Sequence, residues 1–81
     1  MNPPPLGRGL YSPRPIAVEG ERGRPLMVRG QPVETIREEW LIEDRWWTPG
    51  RLRRHYFELV LLDGRLVTIF RDLEKGGWYA Q

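Results

Sequence analysis

The stretch Arg54–Asp72, RHYFELVLLDGRLVTIFRD, decides the fold. Two runs rich in aromatic and branched residues flank Asp63-Gly64. Asp-Gly between such runs signals a hairpin with a two-residue type I′ turn. Alternation sends Tyr56, Val60 and Leu62 to one face and Phe57, Leu59 and Leu61 to the other. On the second run Leu66, Thr68 and Phe70 alternate with Val67 and Ile69. Both faces are largely apolar, so this hairpin is expected to be central and covered on both sides.

Working outward, LEKGG (73–77) reads as the next turn and WYAQ (78–81) as a short last strand. Upstream, PIAVEG (15–20) alternates, with Ile16 and Val18 on one side. EGERGR (19–24) is a turn, PLMVRG (25–30) a strand, and GQP (30–32) a second tight turn. Gly20, Gly23 and Gly30 are expected to supply the positive φ angles that such turns need. Segment 33–47, VETIREEWLIEDRWW, reads two ways. As a helix, Ile36, Trp40, Leu41 and Trp47 fall on one stripe, with Thr35 and Glu38 as a capping box. As a strand, Thr35, Arg37, Glu39, Leu41 and Glu43 face one way, and Ile36, Glu38, Trp40 and Ile42 the other. The surrounding strands favour a long, bent strand. The sum is an all-β chain of five or six short antiparallel strands, which must close or cover its edges. A small barrel or strongly bent sheet, SH3-like, is the expected fold. It occupies residues 14–81. Residues 1–13, with four prolines and two glycines, read as an extended or disordered arm.

Eighty-one residues suffice for one domain with a marginal core. The absence of cysteine excludes disulfides and thiolate metal sites. No apolar run approaches the roughly 20 residues that span a bilayer. The N-terminal residues lack the apolar region of a signal peptide. The expectation is therefore a cytoplasmic protein away from the membrane. The net charge of +2 is unevenly spread: residues 34–45 hold five acids against two arginines, whereas 46–56 hold three arginines and no acid. Twelve of the thirteen basic residues are arginine, which suits phosphate and carboxylate recognition.

Catalysis has little to work with. His55 is the single histidine, expected on a polar strand edge, and Ser12, the single serine, lies in the arm. No set of nucleophile, base and orienting group can be assembled from these. Glu38, Glu39, Glu43 and Asp44 form a solvated acidic face rather than a metal site, because strand neighbours diverge. The expectation is a protein that is not an enzyme and uses no cofactor.

Binding is the remaining reading, and EDRWWTPGRLRRHYF (43–57) carries it. Single-stranded nucleic acid is held by aromatic platforms beside a basic track. Trp47 and Tyr56 with Arg45, Arg51, Arg53 and Arg54 supply both ingredients. Of the tandem tryptophans, Trp40 shares a strand parity with Trp46, which makes Trp46 the core candidate and Trp47 the surface one. The same groups suit a protein interface. Trp47 and Tyr56 with Glu43 and Asp44 could take a Pro-rich peptide. The arm of a neighbouring copy is one such peptide, which would make the chain a homo-oligomer.

These residues resemble a small bacterial domain of unknown function. The likeness runs over about residues 15–80. It rests on Trp40, the run Glu43–Trp47, Arg54–Phe57, Gly64, Arg71-Asp72 and Trp78-Tyr79. The same pattern is similar to the C-terminal tail of ImuB-like proteins, relatives of Y-family DNA polymerases. The resemblance implies an accessory role in DNA repair or translesion synthesis, in contact with DNA or with a repair protein. No polymerase domain is present, so it implies no polymerase activity.

Overall fold

The computed structural model describes residues 13–44 and 52–81. All its regular elements are strands: β1 (Arg14–Pro15), β2 (Val18–Glu21), β3 (Arg24–Val28), β4 (Gln31–Asp44), β5 (Leu52–Leu61), β6 (Leu66–Asp72) and β7 (Trp78–Ala80). They form one antiparallel half-barrel in the order β1-β7-β6-β5-β4-β3-β2. The strand count exceeds the expected five or six because the first strand is broken. β1 pairs with β7, and β2 pairs with β3, so the chain changes partner at Ile16-Ala17. The Ile16 N–H still donates to the Trp78 carbonyl at 3.1 Å, and Arg29 N–H to the Ala17 carbonyl at 2.8 Å. Two residues thus tie together the opposite edges of the sheet.

The β5–β6 hairpin lies at the centre of the order, as the sequence requires, but its turn differs from expectation. Gly64 N–H donates to the Leu61 carbonyl and Leu61 N–H to the Arg65 carbonyl. The loop is therefore Leu62-Asp63-Gly64. Gly64 has φ 92°, and Asp63 is not among the residues with positive φ. This is a type I turn closed by a glycine bulge, not a two-residue type I′ turn. Asp63 fixes it: Oδ1 accepts the Arg65 backbone N–H at 3.0 Å and Oδ2 the Arg65 Nε–H at 2.9 Å. The extra residue sets the register. Phe57 stands opposite Ile69, and Tyr56 opposite Phe70.

Paired residues share a face, so the register divides the sheet. On the inner face Phe57, Leu59, Leu61, Ile69 and Val28 form the core, with Ile16, Val18, Val33, Ile36, Val67 and Trp78 packed against it. The outer face is covered only in part. Tyr56 and Phe70 are buried there, whereas Leu62 and Leu66, near the turn, are exposed. The hairpin is thus not covered on both sides along its whole length.

Segment 33–44 is strand, and its register against β5 shifts between Val33 and Thr35 and between Ile36 and Glu38. Glu34 and Arg37 are the extra residues of these bulges. They reset the alternation, so Val33 and Ile36, three apart, both reach the core. After the second bulge Glu39, Leu41 and Glu43 share the inner face, while Glu38, Trp40, Ile42 and Asp44 share the outer one. The tight turns before β4 are Arg22-Gly23 and Arg29-Gly30, all four residues having positive φ. The second falls one residue earlier than GQP suggested. Gly20 has no positive φ. It is required for space, because a Cβ there would lie 2.8 Å from the Arg24 carbonyl oxygen and 3.3 Å from Trp78 Cζ2.

Candidate interaction surface

The inner and outer faces of the β4–β5 hairpin carry different chemistry. On the outer face the register aligns one aromatic from each of four strands. Trp40 stacks on Tyr56 with centroids 5.3 Å apart and planes 6° apart. Tyr56 meets Phe70 at 4.9 Å, and Phe70 meets Tyr79 at 5.3 Å. Arg54 closes over this row: its guanidinium carbon is 4.3 Å from the Phe70 centroid, and Nη1 donates to the Tyr56 hydroxyl at 3.2 Å. A cation over an electron-rich ring face is attracted by the ring quadrupole. The Arg54 Nε is buried with no hydrogen-bond partner among the described residues.

On the inner face Arg53 is held by acids. Its Nε donates to Glu43 Oε2 at 2.9 Å, and Nη1 lies 3.6 Å from Glu74 Oε2. The Glu43 hydrogen bond, with the Coulomb attraction of both acids, raises the Arg53 pKa above its ordinary value. Further along that face the His55 ring stacks on Phe57 at 4.2 Å, and Nε2 is 4.0 Å from Glu39 Oε1. Arg24 Nη1 donates to the same Glu39 oxygen at 3.0 Å. His55 therefore stands on a central strand, not on a polar edge. Asp72, opposite Arg54 in register, is buried and spent on its own turn, where Oδ1 accepts the backbone N–H groups of Glu74 and Lys75 at 2.8 Å each. Among the described residues no group of three or more His, Asp or Glu side chains is placed to hold a metal ion.

Of the six residues singled out for binding, Arg45, Trp47 and Arg51 lie outside the described residues, as does Trp46. Arg54 and Tyr56 come together on the outer face. Arg53, their neighbour in sequence, faces the other way, because successive strand residues alternate. Tyr56 is 7% exposed, sandwiched between Trp40 and Phe70, so its faces are already occupied. Trp40, the expected companion of a core tryptophan, is 38% exposed on the outer face; of the two described tryptophans, Trp78 is the one packed against the core.

Composition and spacing did not single out Trp40, Leu41 and Ile42. Three consecutive large apolar residues are exposed there, with acids on both sides in the run Glu38–Asp44. They follow the bulge at Arg37, which puts Trp40 and Ile42 on the face opposite Ile36. No family model, curated protein or solved structure matches this chain.

Proposed function

We propose that this chain is a non-catalytic adaptor module, and that it holds a partner protein along β4 between Glu38 and Asp44. One observation carries the reading: Trp40, Leu41 and Ile42 are exposed on one strand while Arg53 and Arg54 are engaged within the molecule. An apolar surface rimmed by charge is the usual composition of a protein contact. Counting β1 and β2 as one bent strand reduces the sheet to six, and we read the half-barrel as SH3-like. Small barrels of that kind serve as peptide-binding modules. The setting implied by the resemblance to the ImuB-like tail is DNA repair, with a repair protein as partner. A cytoplasmic location is consistent with that setting.

Single-stranded DNA is the competing ligand. It would need Arg53 and Arg54 to give up their present partners, or Arg45, Trp47 and Arg51 to act without them. Site-specific photo-cross-linking separates the two. A cross-linkable residue at Leu41, in cells under DNA damage, should give a discrete protein adduct that the same residue at Leu66 does not. A nucleic-acid adduct at Leu41, or anisotropy of labelled single-stranded DNA that rises at low salt and falls steeply with added salt, would overturn the protein reading in favour of DNA.

A further inference from the structure

We infer that the outer edge of β4, from Glu38 to Asp44, is a strand-addition site. Its occupant is an extended partner segment that is cationic at the end passing Glu38 and apolar beyond it. The inference rests on the adaptor reading and specifies its mode.

The backbone argument comes first. β3 pairs with β4 only at Gln31 and Pro32. From Val33 onward no described strand lies against that edge, while β5 occupies the other edge through Asp44. The direction of the free groups follows from the hydrogen bonds of β5. Leu62 N–H donates to Pro32, on the β4 side, whereas Leu61 N–H donates to Arg65, on the β6 side. Arg53 also directs its carbonyl past β6, to the Leu73 N–H. Even-numbered residues of β5 therefore bond to β4. Their opposites, Glu38, Trp40, Ile42 and Asp44, bond back. Glu39, Leu41 and Glu43 are left with N–H and C=O groups aimed at the open side. After the bulge at Arg37 this run is regular, with no further shift. A regular, partly apolar edge of this length is a template for another strand.

The side chains name the occupant. The run is Glu38-Glu39-Trp40-Leu41-Ile42-Glu43-Asp44: two acids, three apolar residues, two acids. Glu38 stands directly opposite Glu58 on the outer face, two like charges in a cross-strand pair, and the residue across from Glu58 on β6 is the uncharged Thr68. Opposed like charges destabilise a strand pair, and a cation on the next strand relieves them. A second copy does not meet this need. Antiparallel self-pairing of the whole run, centred on Leu41, would set Glu38 against Asp44 and Glu39 against Glu43. Glu39 and Glu43 already hold Arg24 and Arg53, so the complement is a segment that is cationic where it passes Glu38 and apolar where it passes Trp40–Ile42.

The probe is the capped peptide Lys-Arg-Val-Thr-Val-Arg-Lys, titrated into the full chain and followed by amide hydrogen exchange. We expect new protection at Glu39, Leu41 and Glu43, and little change at Trp40 and Ile42, whose amides are already in the ladder to β5. The same peptide with glutamates for its cations should not bind, nor should a version N-methylated on alternate residues. Leu41→Pro removes an outward N–H at an edge position that tolerates proline. It should stay folded and weaken the peptide by about tenfold or more, the factor that corresponds to 1.4 kcal/mol. Glu38→Gln should weaken binding while leaving the backbone groups in place.

Peptide binding that ignores both Leu41→Pro and N-methylation would overturn strand addition, and so would no binding at low salt. A protein adduct at Leu41 would still uphold the adaptor in either case. Self-association through Glu38–Asp44, seen as concentration-dependent sedimentation abolished by Leu41→Pro, would overturn the choice of occupant.

Discussion

At the scale of single residues, two positions show how a small side chain or a small charge fixes this backbone. Gly20 leaves room for Trp78 and for the Arg24 carbonyl. Gly20→Ala should therefore cost about 1–3 kcal/mol, as overpacking does, measured by urea unfolding. Gly30 has open space around it but φ 83°, so its requirement is conformational. Gly30→Asn, which tolerates that region, should be milder than Gly30→Ala; the reverse order would refute the distinction. Asp63 works through charge. The backbone N–H of Arg65, then the Arg65 side chain, hold its carboxyl below the ordinary 3.8. A carboxyl lowered in the folded state contributes stability above its unfolded pKa and loses it as pH falls through the folded value. The advantage of wild type over Asp63→Asn should thus be constant near neutrality and fade in acid below about pH 4, in thermal melts taken at a series of pH values.

Among the described elements, the β5–β6 hairpin supplies six of the seven buried hydrophobic side chains of the core. Phe70→Ala should cost about 3–5 kcal/mol, comparable to the whole stability of a core this small, and the variant should lose its cooperative unfolding transition. Tyr56→Phe removes only the hydroxyl that accepts from Arg54, and should cost about 0.5–1.5 kcal/mol. The strands and their order along the chain were legible because alternation and turn residues are local signals. The turn at Asp63 was less so. Asp-Gly fits both a two-residue turn and a type I turn with a glycine bulge, and the choice depends on Arg65 and on the bond from Leu62 to Pro32. The bulge at Arg37 left no mark in composition, yet it turns Trp40 to the face opposite core-facing Ile36. For the candidate site, Arg53 and Arg54 read as one basic cluster, but alternation separates them. The acids that hold Arg53 come from β4 and from the β6–β7 turn, which only the sheet brings near.

For the whole molecule, the tie between the two ends of the sheet is the feature to test. Ile16→Pro deletes the N–H that donates to Trp78 and leaves the distant hairpins intact. Hydrogen exchange should quicken at Trp78–Ala80 well before it quickens at Phe57–Leu61. Equal changes in both places would mean that closure and core form one cooperative unit.

That tie also bears on how the chain is made. β1 is among the first described residues to be synthesised, and its partner β7 is among the last. Local hairpins can form as they emerge, but the pairing of Arg14 with Ala80 must wait until the 65 residues between them have been made. Pairings of such long sequence separation are slow to form. During translation, at about 5–20 residues per second, β6 would stand as a bare flank for the interval before Trp78–Ala80 arrives. A nascent chain stalled before Trp78 should therefore be bound by chaperones and cut by protease, and one extended past Gln81 by an unstructured linker should resist both.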